Sequence, residues 1–308
     1  MSPLHRPRPS QPQTQSGKDL PFSAGLPVQL VECPRDAMQG WPHIIPTARK
    51  IDYLNALLRV GFDTLDFGSY VSAKAIPQMA DTAEVLKGLN LAGTKTSLLA
   101  IVANFRGAQE AADQEAIRYL GFPFSVSETF QLRNTNKTIE GSFATVEEIM
   151  ELCAALQKEL VVYLSMGFGN PYGDPWNEEI VYEWAAALAK LGVKTISVAD
   201  TVGVATPEHV FSIVDFLIRQ LPQVTIGVHL HSTHENRKAK IDAALDAGCR
   251  RFDGALKGIG GCPMAGNELV GNMDTEWLIP YFRELDLLPG IHEEALQESL
   301  RLATQIFV

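Results

Sequence analysis

The chain is short of positive charge: its 308 residues hold 26 lysines and arginines against 36 aspartates and glutamates, a formal net charge of -10. General binding to nucleic acid or to an anionic membrane needs clustered cations that neutralise phosphates. Both partner classes are therefore excluded, although a local basic pocket for one phosphorylated ligand is not. Cysteine is scarce as well. The four, Cys33, Cys153, Cys249 and Cys262, form no CxxC pair and no small-domain disulfide spacing, which points to a reducing, cytoplasmic setting and to free thiols. No apolar run approaches the roughly 20 residues that cross a bilayer.

What the sequence does have is enough apolar content, 46%, to build one large core. Residues 1–25 are rich in Pro, Gln and Ser and carry no apolar run of signal-peptide length, so they read as a disordered tail ahead of a domain over residues 26–308. Arg6, Arg8 and Lys18 hint at a transit peptide, but the prolines oppose the amphipathic helix one needs. Beyond the tail, short β-branched runs alternate with amphipathic stretches. Strands are expected at Val28 to Cys33, Thr64 to Phe67, Thr96 to Ala103, Pro123 to Val126, Leu160 to Met166, Lys194 to Ala199, Thr225 to Leu230 and Arg250 to Gly254. Among the helices expected between them are Thr47 to Val60, Gly107 to Tyr119, Thr145 to Glu159, Pro207 to Gln220 and Glu235 to Ala247, with Thr275 to Leu285 as the last. About eight strand-helix units at roughly 30-residue spacing give an α/β protein, a single-domain (β/α)8 TIM barrel. An open doubly wound sheet alternates too. The barrel is favoured because Asp36, Asp66, Ser69, Glu128, Asp200, Thr201, His229 and His231 all fall at C-terminal strand ends, the rim where barrel enzymes gather their sites.

His229 and His231 are one residue apart, so on a strand both point to the same face. With Asp36 at a nearby strand end they make two imidazoles and a carboxylate, a donor set that suits Mg2+ or Mn2+ and could also hold Co2+ or Zn2+. Cys262, in the run Gly258-Ile259-Gly260-Gly261-Cys262-Pro263, sits where backbone and sulfur are both accessible. A thiol there is placed to react rather than to pack. Taken singly these residues have plainer readings: Cys262 as a small buried side chain, Asp66 and Asp200 as strand-end caps, Asn272 as a turn asparagine. Arg237, Lys238 and Lys240 read as a solvated helix face. The run Asn170 to Trp176 reads as turn chemistry that shapes the mouth of the site.

Several stretches together resemble the 3-hydroxy-3-methylglutaryl-CoA lyases: Val31 to Gln39 around Pro34-Arg35-Asp36, Ser69 to Asp81 with Ile76-Pro77-Gln78-Met79, Asp200 to Pro207, His229-Leu230-His231, and Gly260-Gly261-Cys262-Pro263 through Gly271-Asn272. The likeness runs in order from about residue 28 to residue 285. It implies that Asp36, His229, His231 and Asn272 bind the divalent metal, that Arg35 stabilises the enolate oxygen of the departing acetyl-CoA, and that Cys262 is the essential loop cysteine. It also places Asp200 near the substrate hydroxyl, and Arg35, Gln39 and Ser69 on the substrate. The implied reaction is cleavage of an acyl-CoA to acetoacetate and acetyl-CoA, as in leucine degradation and ketone-body formation, with a homodimer as the expected assembly. The proton at the hydroxyl falls to Asp200 or His229, and that returned to the enolate carbon to Cys262.

The chain departs from the family pattern at Asp66, where glutamate is usual, at Cys33 and Ala37, where glycines are usual, and by one extra residue between Cys262 and Asn272. Asp66 is a methylene short, so its contact with Arg35 or the metal waters is expected through a shifted backbone or a water. Two other classes share some of these features. A Claisen-type acyltransferase of the homocitrate or isopropylmalate synthase kind has the Arg-Asp and HxH elements but carries a C-terminal regulatory domain; a non-catalytic relative would have lost a metal ligand.

Overall fold

In the computed structural model, which describes residues 26–261, 271–288 and 290–308, eight parallel strands close into a barrel in sequence order. They are β1 (Gln29–Glu32), β2 (Thr64–Ser69), β3 (Ser97–Ile101), β4 (Ile117–Ser125), β5 (Glu159–Ser165), β6 (Thr195–Ala199), β7 (Thr225–His229) and β8 (Arg251–Gly254). Closure is made by β1 against β8, in the register Gln29 to Arg251 through Glu32 to Gly254. The helices are α1 (Pro34–Gln39), α2 (Thr47–Leu58), α3 (Thr82–Lys87), α4 (Phe105–Ala112), α5 (Glu128–Thr135), α6 (Ile139–Leu156), α7 (Glu178–Lys190), α8 (Pro207–Gln220), α9 (Arg237–Asp246), α10 (Thr275–Glu284) and α11 (Glu293–Ile306). The expected tail over residues 1–25 and the loop cysteine Cys262 lie outside the described residues.

The core lies between strands and helices. Alternate strand residues such as Leu30, Leu65, Phe122, Val162, Val198 and Phe252 belong to one continuous apolar cluster with the helix residues Leu57, Ile149, Leu188 and Ile213. A smaller cluster of Leu99, Ile101, Val161 and Tyr163, from β3 and β5, stands apart from it. The polar side chains of β2, β7 and β8 face it: Asp66, His229, Arg251 and Asp253. Helix starts are set by side-chain caps, Asn104, Ser127, Thr138, Asn177 and Thr206 each accepting a backbone N–H of the first turn.

The alternation misleads in two places. The expected helix from Gly107 to Tyr119 stops at Ala112, and β4 already begins at Ile117. Ile117, Leu120, Phe122 and Phe124 are each fully buried, and long-range strand burial wins over a helical pattern that the alanines carry only as far as the turn. The last helix is not Thr275 to Leu285: α11 follows it and packs on α2. Among the described residues no helix is long and apolar enough to cross a membrane.

Candidate active site

The short helix α1 carries the first part of the site. Pro34 occupies its first turn, where no N–H is needed, and the turn brings Arg35 and Asp36 over the C-terminal end of the barrel. Both are buried. Arg35 donates from Nε (3.0 Å) and Nη2 (2.5 Å) to Asp66 Oδ2, and from Nη1 (3.0 Å) to Asp36 Oδ1. The contact with Asp66 is direct and two-pronged, without an intervening water, and β2 shifts its register against β3 just there, between Asp66 and Gly68. Burial pushes the Asp66 carboxyl up to about 6 against the opposing pull of Arg35, with Asp36 and Asp253 adding to the rise. Burial works against the Arg35 charge too, but Asp66 and Asp36 outweigh it and raise the guanidinium above its ordinary value.

Asp36, His229 and His231 place one donor atom each within 4.8 Å of one another. Burial alone would raise the Asp36 carboxyl; Arg35, His229, the hydrogen bond from Asn272 and His231 together hold it at about 2. Gln39 Nε2 also donates to Asp36 Oδ1 at 3.0 Å. Asn272 completes the group. Its Nδ2 donates to Asp36 Oδ2 at 2.7 Å and to the Ile259 carbonyl at 3.0 Å, while its buried Oδ1 has no hydrogen-bond partner among the described residues. An orphaned carbonyl oxygen beside a carboxylate and two imidazoles fits a cation that takes mixed N and O ligands.

The two histidines differ in their surroundings. His229 Nδ1 lies 3.2 Å from Asp253 Oδ2, and Asp253 Oδ1 accepts in turn from Arg251 Nη1 at 2.9 Å. Burial disfavours the imidazolium, but the hydrogen bond and charge of Asp253, with Asp36, raise His229 above its usual value. His231 is pushed the other way by burial and by His229, to about 4. A carboxylate on Nδ1 fixes the tautomer and leaves Nε2 for the site. Asp253 was not singled out from the sequence. The available signal was the pair Arg251 and Asp253, two charges on one face of a barrel strand.

These groups end a cleft of about 470 Å³ whose lining includes Arg35, Asp36, Gln39, Thr201, His229 and His231. Its other walls are largely apolar, with Val71, Ile76, Pro77, Ile101 and Phe130, and Arg133 stands at the mouth with its guanidinium over the Tyr172 ring at 4.7 Å. That ring belongs to the 170–176 turn expected at the mouth, though no residue of the turn lines the cleft itself. A wider opening of about 1650 Å³ lies at the other end of the strands and is lined by none of the expected site residues.

Four expected and described members stand outside the cleft lining: Asn272, which reaches it through Asp36, and Asp66, Ser69 and Asp200. Asp66 acts on Arg35 from below. Ser69 Oγ accepts the Val71 N–H at 3.2 Å and closes a turn. Asp200 is committed on both oxygens, Oδ1 to the Ala205 N–H (2.9 Å) and Oδ2 to Lys240 Nζ (2.8 Å). Lys240 is therefore not on a solvated face; it is 1% exposed. Glu128, at the same rim, accepts the Ile139 N–H at the start of α6 and plays no part in the site.

The loop over β8 needs its glycines. Gly260 has φ +115°, and a Cβ there would fall 2.4 Å from Asn272 Nδ2 and 2.9 Å from Asp36 Oδ2. Only a residue without a side chain lets the backbone at Gly260 pass this close to Asn272 and Asp36.

Residues 28–302 match the HMGL-like family model. The cytoplasmic 3-hydroxy-3-methylglutaryl-CoA lyase of Rattus norvegicus is 33% identical over 280 residues, covering 90% of this chain and 80% of that protein. The mitochondrial hydroxymethylglutaryl-CoA lyase of Mus musculus is 33% identical over 274 residues, covering 88% and 83%. Among solved structures, an HMG-CoA lyase from Acinetobacter baumannii in complex with coenzyme A and 3-methylmalate superposes with a TM-score of 0.83 at 34% identity, covering 91% of each chain. With the barrel, the rim site and these likenesses together, the chain belongs to the HMGL-like family.

Proposed function

We propose that this chain is a metal-dependent carbon-carbon lyase that cleaves 3-hydroxy-3-methylglutaryl-CoA to acetoacetate and acetyl-CoA. The observation that carries the reading is the meeting of Asp36, His229 and His231 beside Arg35 at the polar end of an otherwise apolar cleft, with Asn272, whose Oδ1 has no partner among the described residues, bonded to Asp36. Breaking the bond between C2 and C3 of a 3-hydroxyacyl thioester requires loss of the hydroxyl proton and a stabilised thioester enolate. Asp36, His229, His231 and Asn272 would hold a divalent ion, Mg2+ or Mn2+ by the oxygen share of the set, with Co2+ or Zn2+ also compatible. A divalent ion held by these residues would lower the pKa of the hydroxyl and orient it.

The protein supplies the rest. Arg35 keeps its guanidinium fixed between Asp66 and Asp36, and of its five N–H groups one on each terminal nitrogen remains for the enolate oxygen. Asp66 thus acts through Arg35. Both Asp200 oxygens are occupied, so proton removal is assigned to His229, which lines the cleft; with Nδ1 on Asp253, it would take the proton on Nε2 and so only while that nitrogen is off the ion. Gln39 steadies Asp36 and faces the substrate. Cys262 is assigned return of the proton to the enolate carbon. The three described thiols are free and buried, which supports a reducing compartment, here the cytoplasm, although the relatives include both cytoplasmic and mitochondrial forms. A two-fold dimer is the assembly proposed, as the commonest closed one for a soluble chain. Purified protein is expected to release acetoacetate from 3-hydroxy-3-methylglutaryl-CoA with Mg2+, to stop with EDTA, and to lose activity on Cys262→Ala; folded, metal-loaded protein that releases none would refute the substrate.

A further inference from the structure

Lys240 on α9 is a buried ammonium that the reaction as derived does not use. It stands 1% exposed, between Asp200 (1%) and His231 (3%). Burying an ammonium is costly, and an apolar side chain would pack a helix onto a barrel at no such cost. Its partners locate its use. Nζ donates to Asp200 Oδ2 at 2.8 Å and to the main-chain carbonyl of His231 at 2.7 Å.

That carbonyl lies where the sheet has run out. The strand β7 ends at His229, and among the described residues the main chain of His231 continues beyond it in one isolated antiparallel bridge to Asn272, held by the Ser232 N–H on the Gly271 carbonyl (3.0 Å) and the Met273 N–H on the Leu230 carbonyl (3.3 Å). Asp200 is fixed independently, by its own N–H to the His229 carbonyl (2.9 Å) and by the Ala205 N–H on Oδ1 (2.9 Å). Lys240 therefore ties this singly bridged stretch of chain, outside the barrel sheet, to a rigid anchor at the end of β6. The stretch carries one metal-ligand imidazole and abuts the residue that carries another ligand.

We propose that Lys240 is a positioning residue, which fixes the His231 backbone against Asp200 and so presets the His231 and Asn272 ligands for the divalent ion. The inference rests on the metal-centre reading above. It predicts an effect on metal affinity, which a lysine that merely packs α9 would not have. The test is Mn2+ binding to the full chain, read from the free-ion EPR signal, for wild type, Lys240→Met, the double variant Asp200→Asn with Lys240→Met, and Lys238→Met. The double variant removes both buried charges and so stays folded where the single one leaves Asp200 unpaired. Lys238 is an exposed neighbour paired with Asp242, and its variant should keep the wild-type constant. The expected result is Mn2+ binding at least tenfold weaker in both Lys240 variants, in the range found for groups that orient metal ligands. A folded Lys240 variant within twofold of wild type overturns the inference and leaves the metal centre standing. Wild type that binds no Mn2+ overturns the metal centre, and the inference with it.

Discussion

Arg35 spends three of its N–H contacts on two acidic neighbours, and their geometry explains why a lysine would not serve in its place. A guanidinium spans Asp66 and Asp36 at once and still presents N–H groups to the cleft; an ammonium is a point charge on a flexible stem. Arg35→Lys should lower kcat roughly 10²-fold or more while changing KM little, measured by steady-state acetoacetate release. An equal rise in KM with kcat unchanged would make Arg35 a binding group instead. At this scale much of the site was legible in the sequence. The spacing of His229 and His231 on one strand, with Asp36 at another strand end, was enough to foresee a three-residue group that the fold does bring together. Asn272 was reached only through the family likeness, since a single asparagine after a glycine carries no signal of its own. Lys240 and Asp253 were missed for a common reason. Each acts through a partner distant in sequence, Asp200 forty residues from Lys240 and His229 twenty-four from Asp253, and neither residue type at its position announces burial.

Elements, rather than single side chains, set the rim loops. Glu32, the last residue of β1, is wholly buried and accepts the Leu256 N–H at 2.9 Å and the Thr275 hydroxyl at 2.5 Å, stitching the barrel seam to the two ends of the glycine loop. Burial raises its carboxyl to about 8 in spite of those two hydrogen bonds, with Glu276 adding to the rise. Because the folded state holds this proton to a higher pH than the unfolded state does, folding takes up a proton between about 4.5 and 8. Its contribution is therefore fully present below that window and is lost as pH rises through it, a change of a few kcal/mol at roughly 1.4 kcal/mol per unit. Glu32→Gln should leave the thermal midpoint nearly unchanged at pH 5 and raise it at pH 8.5; an equal shift at both would show that ionisation is not involved. Gly260→Ala should cost about 1–3 kcal/mol in stability through its positive φ and should also weaken Mn2+ binding, because the added methyl meets Asn272 and Asp36. Loss of stability with metal binding intact would place the clash elsewhere. The elements themselves were readable where one period dominates, as in α8, foreseen from Pro207 to Gln220 and found there. They were misread where an alanine-rich helix runs almost directly into a buried strand, as at 107–125, and where a final helix follows a turn, as at α11.

At the scale of the whole molecule, the barrel assigns opposite characters to its two sides. Strands β3 to β5 supply an apolar wall, and α1, β2, β7 and β8 bring the charged residues together at one end. The adjacent Arg35 and Asp36 meet His229 and His231 from the opposite end of the sequence, which is why strand-end position was a better guide in the sequence than any single motif. The closed order of the strands was also legible, since polar residues at nearly every C-terminal end suit a closed ring better than an open sheet with one crevice. The central claim is that the ion held by Asp36, His229, His231 and Asn272 enables cleavage of the acyl-CoA. It is tested most directly by titrating metal-free protein with Mn2+ while following bound ion and acetoacetate release from 3-hydroxy-3-methylglutaryl-CoA in the same samples. The account predicts that release rises in proportion to occupancy and levels off at one ion per chain. Release from the metal-free protein, or none at full occupancy, would contradict it.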